Sequence, residues 1–528
     1  MRRILPFLAS ALLAAGTPPS VPEGALRAHL ALLSSDLFEG RGTGQRGGDL
    51  TVAYLESQCA VLGLRPAQGT SYRQVVQIAG LKPQPTLGGL MIEAGGEPLA
   101  LSYGNDWVFG PGDGQPRHAF DADFLFVGYG ISAPEEGWDD FKGVDCRGKV
   151  LVMMVNDPQP TVEAPDRFGG KALTYYGRWT YKFEEAQRRG AAGVLLIHTE
   201  ASASYGWSVV KNSWVVERFQ LAEGLTGTRL QGWLTEAAAR TLFQASGRNL
   251  DQLRAAAERK DFRPVPLAAR LKGEMVSAVR KIPQFNVAGL VPGTDPKLKD
   301  EVVIYSAHWD HFGKGEGPGD VIYNGAVDNA TGSAALLAMA QAAVHAPAKR
   351  SQMFLWVCAE EQGLLGSSAY AENPLWPLAK TAAALNLDSL NWIGPTRDID
   401  VAGSERTELF DFSARVAQGM GLAIAKVSPD LRGGYFRSDH FNFAKAGVPA
   451  FSIEGGHEYL KDPEGSKAKA KGYEAKYHQV TDEYDPAWEL SGMTQQAQFA
   501  LNLGRAVADA PVMPRWKAGD PFGQARAQ

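Results

Sequence analysis

Residues 301–311 read EVVIYSAHWDH, an apolar run that stops abruptly in imidazole and carboxylate groups. Two later runs stop in the same way, SQMFLWVCAEE at 351–361 and TAAALNLD at 381–388. Unbroken apolar stretches of this length predict strands covered on both faces, because a strand with one wet face would alternate. FNVAGLV at 285–291 and VPAFSIE at 448–454 add further strands. The helix-compatible segments GSAALLAMAQAAV at 332–344 and TELFDFSARVAQGM at 407–420 lie between them. Strands alternating with helices predict an α/β fold, with a mixed, mostly parallel central sheet flanked by helices.

Outward from that core the texture changes. Between residues 24 and 65, Leu26, Leu30, Leu33, Leu55 and Leu62 recur at helical spacings, interrupted by the Gly-rich EGRGTGQRGG at 39–48. After Asp121, short apolar strands, FLFVGYGI at 124–131 and KVLVMMVN at 149–156, alternate with Gly/Pro turns and the amphipathic KFEEAQRRGAAGVLLIH at 182–198. A chain of 528 residues exceeds what one core ordinarily serves. The expected organisation is a first part of the main domain at 22–118, a β-rich insertion at 119–272, the main part at 273–512 and a tail at 513–528. The Lys/Glu-rich KDPEGSKAKAKGYEAK at 461–476 reads as a solvated loop.

Residues 1–16 read as a signal peptide: Arg2-Arg3, an apolar run from Ile4 to Ala15, and the small residues Ala14 and Gly16. Export to the periplasm or the medium is the expectation. The run is too short to span a bilayer and no Cys follows it to take a lipid, so no stable membrane anchor is expected. A net charge of −5 gives no basic footprint for nucleic acid and leaves a small or peptidic partner. Oligomeric state leaves no signature. Cys358 reads as a small core residue, and pairing of Cys59 with Cys146 is open.

In open α/β sheets, side chains that do chemistry gather outside the carboxyl ends of the strands. His308 and Asp310, Glu360 and Glu361, and Asp388 all fall there. So many carboxylates at one edge are costly unless a cation neutralises them, and a metal ion does that. Between the first two of these strands, YNGAVDNATGSAALL at 323–337 sets Asp328 just before a Thr-Gly-Ser turn. Asp328 is either a helix cap or a carboxylate able to bridge two cations. His478, in KYHQVTDEYD at 476–485, lies on a polar stretch where a lone histidine is more often a surface residue.

Taken together, SAHWDHFG, YNGAVDNATGSAA, CAEEQGLLGS, LNLDSL, YFRSDHFNFAKAGVPA and YHQVTDEYD resemble the co-catalytic di-zinc aminopeptidase family, which also includes glutamate carboxypeptidase and glutaminyl cyclase relatives. The six blocks follow in order from Phe285 to Asp485, and SDLFEGRGTG with GLRPAQG is weakly similar to the family's first segment. The resemblance implies the zinc exopeptidase fold with an inserted protease-associated domain. It implies an exported metallo-aminopeptidase, a hydrolase that removes N-terminal residues from peptide substrates with two Zn2+. His308 and Asp388 match the ligands of one zinc, Glu361 and His478 those of the other, and Asp328 bridges both. Glu360 matches the general base acting on a water shared by the two ions, and Asp310 the residue that orients His308. Tyr435 matches a tyrosine that hydrogen-bonds the oxyanion, with a core aromatic beside Phe436 as its other reading. The Asp328–Asn329 peptide is expected to be cis. Imidazole and carboxylate ligands suit zinc, and two ions about 3.5–4 Å apart can share a hydroxide. Neighbours in extended chain, Glu360 and Glu361 point in different directions, one to metal and one to water.

His457, in EGGHEYL, competes with His478 for the last ligand position; His440 reads as structural and His311 has no role. A glutaminyl cyclase would use a single zinc. A glutamate-carboxypeptidase-like dipeptidase would need an arginine cluster, for which Arg432 and Arg437 are the only arginines near the SDH block. A non-catalytic receptor-like relative should have lost ligands or base, and none is missing. The residue preference of the substrate pocket has no recognisable string.

Overall fold

Eleven strands and six helices suffice to place the functional residues. The strands are β1 (Arg73–Pro83), β2 (Trp107–Gly110), β3 (Arg117–Phe126), β4 (Val150–Met154), β5 (Gly193–His198) and β6 (Leu230–Thr235). They continue with β7 (Val265–Val291), β8 (Val302–His308), β9 (Ser351–Val357), β10 (Thr381–Asn386) and β11 (Ala450–Ser452). The helices are α1 (Glu23–Leu33), α2 (Arg46–Val61), α3 (Trp179–Arg188), α4 (Thr331–His345), α5 (Pro463–Tyr473) and α6 (Ser491–Asp509). This computed structural model describes residues 19–203, 205–222, 227–426, 430–431 and 433–527. The expected signal peptide lies outside the described residues.

The strands run side by side in the order β11-β10-β8-β9-β7-β3-β4-β5-β6-β2. β8 is parallel to β9 and β10, and β10 to β11. β3, β4, β5 and β6 form a second parallel group. The antiparallel members are β7 against β9, β3 and β1, and β2 on the far edge. The result is the expected α/β fold with a mixed, largely parallel sheet.

Alternation within each strand fills a core on either side. Val303, Tyr305 and Ala307 join Phe354 and Trp356 in one core, while Val302 and Ile304 join Met353, Leu355 and Val357 in another. The second strand group has its own pair: Val150, Val152 and Met154 face one core, Leu151 and Met153 the other. Most residues of a doubly covered strand are therefore apolar, which is why these runs do not alternate in the sequence. Each such side chain contributes about 1.5–3 kcal/mol by burial. Helix α4 is apolar around its whole circumference because it is packed between the sheet and helices α1 and α6.

Two expectations change on contact with the structure, and one open question closes. The stretch at 461–476 contains helix α5 rather than a loop: Asp462 caps it by accepting from the Gly465 N–H at 3.2 Å, with Pro463 at the first position. Ser466 is its only buried residue, so it is solvated as expected but helical. The boundary expected at 272/273 falls inside β7, whose 27 residues pair with β3 at one end and β9 at the other. Cys59 and Cys146 lie in different cores, and all three cysteines are free and buried. No helix of the described residues is long and apolar enough to cross a membrane.

Candidate metal centre

Because β10, β8 and β9 are parallel neighbours, their carboxyl ends open on one edge. His308 is the last residue of β8, Glu360 and Glu361 occupy the turn after β9, and Asp388 lies two residues beyond β10. The turn after β9 departs from the extended chain expected for the glutamate pair. Ala359 has a left-handed backbone, φ 54, and the Glu360 carbonyl accepts from the N–H groups of Gly363 and Leu364 at 2.9 Å.

Asp328 is not the helix cap. Its neighbour Asn329 does that work, its Oδ1 accepting from the Gly332 N–H at 2.9 Å while its Nδ2 donates to the Leu387 carbonyl at 3.0 Å. The Asp328–Asn329 peptide is cis, as expected. Asp328 faces the strand ends, where each of its oxygens meets a different histidine. Oδ1 lies 3.3 Å from His308 Nε2, and Oδ2 lies 3.2 Å from His478 Nε2. His308 Nε2 is also 3.3 Å from Asp388 Oδ1, and His478 Nε2 is 3.3 Å from Glu361 Oε2.

These spacings carry chemical information. Two ligands of one tetrahedral zinc, each about 2.0–2.1 Å from the ion, lie about 3.3 Å apart. All four distances match that edge, and they divide into two groups that share Asp328. His478 Nε2 is buried and without a hydrogen-bond partner although two carboxylate oxygens face it, as a lone pair reserved for a cation would be. His308, Asp328 and Asp388 form one cation-ligand cluster. Asp328 and Glu361 form a second, which two imidazoles approach, His311 and His478. His311 Nδ1 is 2.5 Å from Glu361 Oε1, the length of a direct hydrogen bond and too short for two ligands of one ion. Burial pushes His311 down to about 3, towards the neutral imidazole, and its contact holds Glu361 from behind. His457 stands elsewhere, largely exposed, 3.1 Å from Asp400.

Electrostatics tell the same story. Burial, then Asp328 and Glu360, push the Glu361 carboxyl well above the ordinary range; burial and the charge of Asp388 do the same to Glu360. Glu360 makes no side-chain hydrogen bond among the described residues. Its backbone N–H donates to Asp310 Oδ1 at 3.0 Å. Asp310 orients His308 otherwise than expected: its backbone carbonyl lies 3.1 Å from His308 Nδ1, and its carboxylate is 3.9 Å away. Tyr435 is not brought to the cluster. Its hydroxyl donates to the Ala450 carbonyl at 2.8 Å and its ring lies under the Arg406 guanidinium and against His440, so the geometry is that of the core aromatic.

Sequence reasoning missed the residues that hold the ligand-bearing loops. Arg41, fully buried, donates to the carbonyls of Leu33, Trp309, Asn324 and Gly325 at 2.6–2.9 Å, pinning the segments on either side of His308 and Asp328. Asp482 accepts from the N–H groups of Val327 and Asp328 at 3.1–3.2 Å. Ser438 donates to Asp388 Oδ2 at 2.6 Å. The only signal for Arg41 was its place in the Gly-rich 39–48, and for Asp482 its place four residues after His478.

The fold and site together define an α/β protein with two fused cation-ligand clusters at the strand ends. Residues 286–501, which contain every one of those ligands, match the model of Peptidase family M28. Over 181 residues the chain is 32% identical to Leupeptin-inactivating enzyme 1 of Streptomyces exfoliatus, covering 34% of this chain and 37% of that protein. Over 229 residues it is 31% identical to an aminopeptidase of Pseudomonas aeruginosa, covering 39% of each. The matches thus span under two-fifths of the length of these relatives. Among solved structures, the aminopeptidase from Aneurinibacillus sp. strain AM-1 aligns over 92% of this chain and 93% of its own, at 17% identity and a TM-score of 0.49.

Proposed function

We propose that this protein is an exported aminopeptidase that binds two Zn2+ and removes N-terminal residues from peptides. The observation that carries the reading is the division of Asp328 between His308 and His478 at ligand spacing. His308 and Asp388 would hold one ion, Glu361 and His478 the other, with Asp328 between them. Zinc bound there supplies Lewis-acid polarisation of a scissile carbonyl and a more acidic water. Glu360 takes a proton from the attacking water and returns it to the leaving amine, a role open to a carboxylate with no partner of its own. Asp310 holds that glutamate by its backbone while its carbonyl fixes the His308 ring. The order of charged, apolar and small residues in 1–16 supports export. The separate cores beneath β3–β6 support reading a β-rich protease-associated insertion between the two parts of the peptidase domain, with β2 sharing its cores and its C-terminal limit lying within β7.

Glu360→Gln is the direct test. It should retain about two zinc ions per chain by elemental analysis and lose about 10²- to 10⁴-fold in kcat on an aminoacyl-anilide. Undiminished turnover would remove Glu360 from the mechanism. One tightly bound zinc, with ring closure of N-terminal glutamine in place of hydrolysis, would replace the peptidase with a cyclase.

A further inference from the structure

A cavity of about 260 Å³ opens where the second strand group meets the segment leading to Ser438. Trp179, Trp233, Tyr205 and Leu431 form much of its wall, and two guanidinium groups line it, Arg178 and Arg437. Arg178 immediately precedes α3, whereas Arg437 immediately precedes Ser438, the donor to Asp388. The cavity therefore lies between the second strand group and the segment that carries Ser438.

The charges in it are unbalanced. Arg178 Nε is buried and has no hydrogen-bond partner. Burial pulls this guanidinium down to about 10, and the like charge of Arg437 pulls in the same direction. Among the described residues, the carboxylate acting on Arg178 is that of Asp430, whose Oδ2 also accepts from the Tyr435 N–H at 3.2 Å. Two guanidinium groups against one acid leave the cavity positive. A buried donor without a partner is costly, and a carboxylate is the ligand a guanidinium fork binds best, through two parallel hydrogen bonds. The indole rings and Leu431 suit the apolar side chain beside such a carboxylate. We infer that Arg178 and Arg437 form a subsite for a carboxylate of the peptide substrate, making short peptides with a free C-terminus the preferred substrate class. The inference rests on the peptidase reading of the metal centre.

The test compares three tripeptides in the zinc-loaded full-length protein: one with a free C-terminus, its C-terminal amide, and an amide carrying a glutamate side chain. The expected kcat/KM ratio of acid to amide is about ten- to hundredfold, carried by KM. Arg178→Gln and Arg437→Gln should each bring the ratio towards one; general structural damage would lower both substrates together and leave it unchanged. If Arg178→Gln fails to fold, Arg437→Gln, at an exposed position, carries the test. Preferential cleavage of the glutamate-bearing amide would mean that a side-chain carboxylate, rather than the terminal one, occupies the subsite. Equal cleavage of all three substrates by the wild type overturns the inference and leaves the aminopeptidase reading standing. If nothing is cleaved, that reading fails, and calorimetry with an N-acetylated tripeptide acid and its amide decides the subsite: tighter binding of the acid, lost in Arg178→Gln, supports it, and equal binding overturns it.

Discussion

Buried charge is handled in opposite ways in the two strand groups. In the second group, Lys182 on α3 is fully buried, yet its ammonium donates to the Asn156 carbonyl at 3.0 Å, lies over the rings of Tyr129 and Tyr181, and feels the charges of Asp157 and Asp140. Those acids are themselves satisfied: Asp140 accepts from the Ile131 N–H and the Trp138 indole, and Asp157 from the Thr174 N–H and hydroxyl. At the ends of β8, β9 and β10 the acids outnumber the cations, and a buried imidazole nitrogen faces two carboxylates without a hydrogen bond. The first arrangement is complete within the chain. The second is arranged to take a cation from outside, and that difference separates a structural charge cluster from a candidate metal centre.

The contrast breaks most decisively under chelation. Stripping metal should abolish peptide hydrolysis and lower the melting temperature, since an ion at a hundredfold excess over its Kd stabilises the folded state by about 2.7 kcal/mol. A melting temperature indifferent to chelator would place the two regions in one class.

Next in size, Lys182→Met should destabilise the protein by about 3–5 kcal/mol in denaturant titration below about pH 7, where Lys182 is an ammonium, by leaving buried carboxylates without their cation, while zinc stoichiometry stays unchanged. Its pH dependence sharpens the point. Burial pulls Lys182 down to about 7, below the ordinary lysine value of 10.5. Between those values the unfolded chain holds a proton that the folded chain has released, so wild-type stability gains a rising contribution as pH increases. Lys182→Met should lack that rise, and an identical slope in both proteins would mean that Lys182 keeps its proton throughout.

The smallest expected effect concerns support rather than ligation. Asp482→Asn weakens the hold on the Val327 and Asp328 N–H groups and should lower zinc affinity about 10- to 100-fold in competition with a chromogenic chelator, with the fold retained. Unchanged affinity would show that the Asp328 loop is held sufficiently by Arg41 alone.

Much of this site was readable because three strands end in it. A doubly covered strand is mostly apolar and carries no charge here, so the first charged or imidazole group at its end marks the sheet edge, and His308, Glu360, Glu361 and Asp388 stand out in the sequence for that reason. His478 does not, since it follows α5 on a polar turn without periodicity, and only the family resemblance singled it out. Asp328 looked like a cap because the residue that does cap, Asn329, is its neighbour. Arg41, Asp482 and His311 were illegible in role: Arg41 works through hydrogen bonds to residues 268 to 284 positions away. Lys182 read as part of an amphipathic helix, and nothing local indicates that its charged end is enclosed. The continuity of β7 was hidden by Pro283, which suggested a fresh start where the strand in fact runs on, paired with β1 through that position.

That continuity governs how the two arginines meet. Units joined by a flexible linker can swing apart, but here one 27-residue strand, paired with β3 over its first part and with β1 and then β9 over the rest, carries the chain from one group of strands into the other. The connection behaves like the frame of a caliper. The two arginine-bearing segments are also tied to each other directly, by the Leu173 N–H donating to the Asp430 carbonyl at 2.8 Å and by Lys445 paired with Glu184 at 2.9 Å, so the spacing of Arg178 and Arg437 is a property of the frame rather than of a hinge.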